Sequence, residues 1–200
     1  MKSEFSKNLS LVIIIIALVA FVYGTVKAIQ IVDRTQIGTS DGIYTNKVTT
    51  SQEIADKAFE LTKTCKSDLC QIQSILDYVT HIPYQINPFQ AHSPQKTIKN
   101  NFGDCDDKSN LLISMLHALG KEAYFVLVPK HIFVIIPVED SRISTKKGLW
   151  LDGKKYYILE STAEGSQVGF LLHYSIDQID AIVEPFDNKK INYEKLEYKL

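Results

Sequence analysis

From Leu9 to Val26 the chain reads LSLVIIIIALVAFVYGTV without a single charged residue. In a helix that run would be apolar on every face, which suits lipid rather than the one buried stripe of a surface helix. Eighteen residues reach roughly 27 Å, close to the thickness of a bilayer's hydrocarbon core. Lys2 and Lys7 precede the run, so the positive-inside rule places residues 1–8 in the cytoplasm and everything after the run outside it. The expectation is a single-pass signal anchor over residues 9–26, at the cell membrane, with a periplasmic or extracellular domain. A cleaved signal peptide is the rival reading. Its small-residue cleavage pattern is poor, with Val22 and Gly24 the best available pair. No cysteine follows the run at once, which argues against a lipoprotein anchor. A cytoplasmic N-terminus on a simple anchor suits a prokaryotic envelope.

Charge narrows the partners of the remainder. The 200 residues carry 22 Lys and Arg against 23 Asp and Glu, a formal net charge of −1. No global basic field exists for nucleic acid, and no nucleic-acid partner is expected. Residues 27–50 are polar, with Gly38, Gly42 and many threonines, and read as a stalk holding at most a short strand. Residues 51–200 read as the domain.

Within that domain the hydrophobic period changes once. Ser51 suits a helix N-cap, followed by the stripe Ile54, Ala55, Ala58, Phe59 and Leu61. A second helix runs from about Leu69 through Ile72, Ile75, Leu76 and Val79, and must stop before Pro83. Tyr84 to Lys99, with two further prolines, reads as an ordered loop. Cys105 to Leu119 is a third helix, with Gly120 placed to cap its C-terminus. Beyond it, Ala123–Val128 and His131–Val138 are β-branched and aromatic, split by Pro129-Lys130. Asp152-Gly153 marks a hairpin turn between Leu149–Leu151 and Lys155–Glu160. Helices followed by paired strands predict an α+β fold with helices against an antiparallel sheet. The charged, aromatic tail from Asp187 to Leu200 is read as an edge strand or an unstructured end.

The chemistry centres on Phe102-Gly103-Asp104-Cys105-Asp106-Asp107-Lys108-Ser109. A cysteine in the first turn of a helix meets partial positive charge and free backbone N–H groups, and a nearby imidazolium adds to both; each lowers a thiol's pKa. His131 opens a strand, and Glu160 closes a neighbouring one. That order suits a nucleophile, a base and an acid that holds the base's tautomer. The Cys105 amide, or the side chains of Asn100 and Asn101, are candidate donors to an oxyanion. Asp104, Asp106 and Asp107 fail as a calcium loop, because the sixth position is Ser109 and the twelfth Met115. They suit helix capping instead. His81, His92, His117 and His173 share no metal-ligand spacing, and no metal or organic cofactor is implied. Cys65 and Cys70, five apart, are either a small disulfide of an oxidising compartment or two ordinary thiols.

The segment Gly103–Ser109, followed by an apolar helix ending Leu119-Gly120, resembles the nucleophile segment of the transglutaminase-like superfamily. His131-Ile132-Phe133-Val134 is similar to that family's histidine strand, and Tyr157–Thr162 to its acid strand. Asp77-Tyr78-Val79 and Ile82-Pro83-Tyr84 resemble its upstream helix and tyrosine. The likeness spans about Ser51 to Gly169. It implies a papain-like core with the nucleophile helix packed on an antiparallel sheet, and acyl transfer through a thioester. Cys105 would be the nucleophile, His131 the general base and acid, and Glu160 the orienting acid. Glu160 stands where the family commonly has aspartate, and Ser161 where it has proline. The expected activity is that of a cysteine peptidase or amidase acting on a peptide or protein substrate. Hydrolysis is preferred to cross-linking, because water is abundant outside the membrane. The alternative is a non-catalytic module that keeps the fold to bind a peptide or an assembly partner.

Overall fold

A computed structural model describes residues 2–39, 42–86 and 91–200. The chain divides into two compact units, Met1–Thr35 and Gln36–Leu200. The first is one helix, α1 (Lys2–Thr35). Within it Asn8–Ile29, 22 residues, is long and apolar enough to cross a membrane, and none of it is buried. Its large apolar side chains from Leu9 to Ile29 all face outward.

In place of the stalk expected over residues 27–50, α1 continues to Thr35 and a hairpin follows. Strands β1 (Gln36–Thr39) and β2 (Gly42–Thr45) pair antiparallel. Ile37 and Tyr44 are buried in the main core, so the hairpin belongs to the second unit. Short strands offering one core residue each leave little periodicity, which is why glycines and threonines dominate the reading of the sequence there.

Four helices follow. In α2 (Gln52–Thr62) the Ser51 hydroxyl caps the Ile54 amide at 3.3 Å, and in α3 (Asp68–His81) Ser67 caps Cys70 at the same distance. Cys65 and Cys70 are joined in a disulfide across the connection. The segment Tyr84–Lys99, expected as a loop, instead holds α4 (Pro94–Asn100). Ser93 caps its first turn and Pro94 occupies its start, where the missing N–H costs nothing. Part of that expected loop, 87–90, lies outside the described residues. Helix α5 (Cys105–Ala118) starts at an Asp104 cap, whose carboxylate accepts the Asp107 amide at 3.2 Å, and is followed by Gly120 with φ +71°.

Seven strands form one antiparallel sheet: β3 (Tyr124–Val128), β4 (His131–Ile136), β5 (Gly148–Leu151), β6 (Lys154–Leu159), β7 (Ala181–Glu184), β8 (Lys189–Lys190) and β9 (Leu196–Lys199). Their order is β8-β7-β3-β4-β6-β5-β9. The tail thus contributes edge strands at both ends of the sheet. Alternation along each strand serves two cores. Phe125, Leu127, Ile132, Val134, Tyr157 and Leu159 face the helices, while Val126, Phe133, Ile135, Tyr156 and Ile158 pack under a cover that includes Phe170, Leu172 and Tyr174. Helix α5 is central to the first core, with Leu111, Leu112, Met115 and Leu116 wholly buried. At about 1.5–3 kcal/mol for each such side chain, those four hold the helix start firmly against the sheet. The fold is the expected mixture of helices and curled antiparallel sheet, with one N-terminal apolar helix.

Candidate active site

The start of α5 is held by the chain around it. Gly103 pairs in parallel with Tyr84: its N–H donates to Pro83 O at 3.2 Å, and its carbonyl accepts the Gln85 amide at 3.1 Å. A Cβ at Gly103 would stand 2.7 Å from Cβ of Asp107, so only glycine fits. Asp107 is fully buried, takes the His92 backbone N–H, and lies 3.3 Å from His92 Nδ1. The fully buried Lys108 donates Nζ to the carbonyls of Thr80 (3.2 Å) and Ile82 (2.7 Å), tying α5 to the end of α3. Burial lowers the Lys108 pKa to about 8, against the attraction of Glu160 and Glu164. Asp107 therefore does more than favour a helix start.

Cys105 is the free cysteine among the described residues, half-buried at the first position of α5. Its Sγ donates to Asp106 Oδ1 at 3.5 Å. The expectation of a thiol lowered by the helix end meets a stronger opposing set. Burial first, then the charges of Asp106 and Asp104 and the bond to Asp106, push the thiol well up. These effects together favour the protonated thiol. Asp106 is itself pushed up to about 7, by burial and then by Asp104, while Cys105 and the Thr45 amide pull it down.

His131 opens β4 after Lys130, which turns the chain with φ +57°. Its Nε2 lies 2.9 Å from Glu160 Oε2, both side chains being largely buried. Glu160 directly follows β6, the neighbour of β4. Burial raises the Glu160 pKa, but the bond and charge of His131 and two bonds from Thr162 outweigh it, and the carboxyl lies below its ordinary value. Those Thr162 contacts come from its amide (2.9 Å) and its hydroxyl (2.6 Å). An ionised Glu160 favours the proton on Nε2 and leaves Nδ1 as an acceptor. The Tyr174 ring stacks near-parallel to the His131 ring, centroids 6.3 Å apart.

Cys105 and His131 line one cavity of about 210 Å³, with Asp106 and Lys130 beside them and Thr39, Ile43 and Tyr44 of the hairpin opposite. Asn100 and Asn101, read as oxyanion donors, are exposed and do not line it. Asn101 instead caps α4 in the left-handed conformation, φ +53°. Asp152, at the turn between β5 and β6, accepts the amides of Glu194 and Lys195. Sequence reasoning missed Tyr44, Asp106 and Tyr174 as neighbours of Cys105 and His131. Only Asp106 left a signal, by standing next to the cysteine.

A nucleophile-type helix packed on an antiparallel sheet, with a histidine and an acid on adjacent strands, defines a papain-like class of architecture. The sequence matches the profile of the transglutaminase-like superfamily over residues 55–160, and the chain belongs to that family. No curated protein matches it. Among solved structures it is similar to a candidate cysteine protease from Cytophaga hutchinsonii: 12% identity, TM-score 0.48, 76% of this chain and 53% of that one. A candidate protease from Parabacteroides distasonis shares 16% identity with TM-score 0.45, over 72% of this chain and 28% of the other. Calcium-bound LapG of Legionella pneumophila shares 11% identity with TM-score 0.40, over 70% and 91%. The chain thus spans about half the length of the first relative and about a quarter of the second.

Proposed function

We propose that the chain is a thiol-dependent acyl-transfer enzyme, a cysteine peptidase or amidase held at the membrane by α1 with its domain outside the cytoplasm. The observation that carries this reading is the His131–Glu160 bond of 2.9 Å, on neighbouring strands, beside a cavity that Cys105 also lines. In the reaction Cys105 Sγ bonds to the substrate carbonyl carbon while its proton passes to His131 Nδ1. The tetrahedral species collapses, the C–N bond breaks, and the leaving amine takes that proton, leaving a thioester on sulfur. Water, deprotonated by His131, then releases the acid and restores the thiol. A thiol pKa raised by burial and then by Asp106 fits attack coupled to proton transfer rather than a standing thiolate–imidazolium pair. The Cys65–Cys70 disulfide and the lysines before the apolar run both favour an oxidising compartment outside the cytoplasm.

The non-catalytic reading draws on the same protonated thiol, which a binding module would have no need to activate. The test is a synthetic peptide library incubated with the full chain in dodecyl maltoside and read by mass spectrometry. Cleavage that disappears in both Cys105→Ser and His131→Ala supports the enzyme. Cleavage that persists in Cys105→Ser refutes it, and a library left intact, with peptides retained on the protein, supports the binding module.

A further inference from the structure

We propose that Tyr44 is a catalytic hydrogen-bond donor, its phenolic hydroxyl donating to the acyl carbonyl oxygen and to the oxyanion that this oxygen becomes when Cys105 attacks. The inference rests on Cys105 being the nucleophile and assigns a partner to the other reacting atom.

Tyr44 lies on β2, outside the stretch matched by the family profile, and is 5% exposed. Its ring packs edge-on against Phe125, centroids 5.1 Å apart, which fixes its plane. Its hydroxyl is buried and finds no hydrogen-bond partner among the described residues. Native folds rarely leave such a group unpaired, and each exception calls for an explanation, a catalytic role among them. Tyr44 also lines the cavity of Cys105 and His131. Burial, then the charge of Asp106, then that of Cys105, keep the phenol's pKa well above its usual value. Tyr44 therefore stays a protonated donor, on a cavity wall that it shares with Cys105.

The other polar groups on the wall serve this task less well. Asp106 already accepts the Cys105 thiol and, once ionised, repels an oxyanion. Lys130 is exposed, so solvent screens its charge. Thr39 is already engaged elsewhere in the fold. The Cys105 amide, in the first turn of α5, is one unsatisfied helical donor. A neutral, dry hydroxyl fixed by packing supplies a second, of the preorganised kind worth most in a shielded site.

Two reagents separate the oxygen from the sulfur. With p-nitrophenyl acetate, Cys105 Sγ bonds to the acetyl carbon and the C–O bond to p-nitrophenolate breaks. The thiol proton leaves through His131 to solvent, and charge passes transiently onto the carbonyl oxygen. With iodoacetamide the sulfur displaces iodide at a saturated carbon, and no oxyanion forms. The full chain in dodecyl maltoside is compared with Tyr44→Phe, which keeps the ring. The expected result is acetylation about 100-fold slower in the variant. Its iodoacetamide rate, the pH midpoint of that rate, and its melting temperature should match wild type. Equal acetylation rates overturn the proposal. So does a shifted alkylation midpoint, which would make Tyr44 a partner of the sulfur. A variant that melts markedly earlier would give the hydroxyl a structural partner and overturn it as well. Wild-type protein alkylated at Cys105 but not acetylated overturns the donor assignment alone. Wild-type protein that iodoacetamide leaves unmodified at Cys105 overturns the nucleophile reading together with it.

Discussion

Replacing Asp106 by asparagine should make Cys105 easier to ionise, by an amount that can be worked out from one distance. The carboxylate oxygen lies 3.5 Å from the sulfur. At an effective dielectric of about 20, one negative charge at that range opposes the thiolate by roughly 4.7 kcal/mol, or about 3.5 pK units. The realised shift is smaller, because Asp106 is itself held up near 7 and the two groups titrate as a pair. Asparagine also leaves the largest contribution, burial of the sulfur, untouched. The expected outcome is a fall of about 1–2 units in the pH midpoint of iodoacetamide alkylation. The midpoint is read by mass spectrometry on the peptide that carries Cys105. Cys65 and Cys70 do not interfere, since they are bonded to each other. A midpoint that stays in place or rises in Asp106→Asn would refute the electrostatic role of Asp106 and leave burial and Asp104 as the causes.

Glu160→Gln should cut kcat about 10- to 100-fold with little change in KM, because a charge-assisted bond of about 1.5–3 kcal/mol orients His131; unchanged kcat would remove Glu160 from the site. Gly103→Ala should lower stability by about 1–3 kcal/mol in urea titrations, since the new methyl would stand 2.7 Å from Asp107 Cβ. Asp106 also predicts a slope of stability against pH. Its folded pKa of about 7 exceeds the ordinary 3.8, so the folded state binds the extra proton between these values and stability should fall as pH rises from 4 to 7. Asp106→Asn should flatten that slope, and an identical slope in the variant would contradict the pKa assignment. Reducing the Cys65–Cys70 bridge should cost about 2 kcal/mol by the entropy of so short a loop, read as the difference in urea stability with and without reductant.

The parts of this molecule that were legible in the sequence are those with a strong local signal. The stripe Ile72, Ile75, Leu76 and Val79 defines one helix face, and Ser51 defines a cap, because both are set by neighbours a few residues away. The β-branched runs on either side of Pro129-Lys130 defined two strands for the same reason, and the two pair antiparallel. Helix α4 was hidden because Pro94 reads as a breaker, whereas at a helix start it is a stabiliser. The protonated state of Cys105 was hidden for a different cause. Helix-end polarity can be read from position, but burial and the aim of Asp106 depend on what packs across the site. Likewise nothing local marks Tyr44, whose partners Phe125 and Cys105 lie far along the chain.

The family profile begins at residue 55, yet one wall of the candidate site is built before it, by Thr39, Ile43 and Tyr44. That wall is fastened to the nucleophile helix itself. The Thr45 amide donates to Asp106, Asn110 Nδ2 donates to Thr45 O at 3.2 Å, and Asn110 Oδ1 accepts the Lys47 amide at 2.8 Å. The Thr49 amide reaches Ser114 Oγ at 3.2 Å, one turn further along α5. Each bond is worth only about 1 kcal/mol, but four in register fix the hairpin's position against the helix that carries the sulfur. The residues proposed as nucleophile, base and acid lie within the matched stretch, whereas part of the cavity wall lies before it. Differences in substrate among proteins with this core should therefore follow their N-terminal flanks. Grafting another member's flank onto this chain should alter which peptides are cleaved while leaving the alkylation of Cys105 unchanged, and an unaltered cleavage pattern would locate specificity elsewhere.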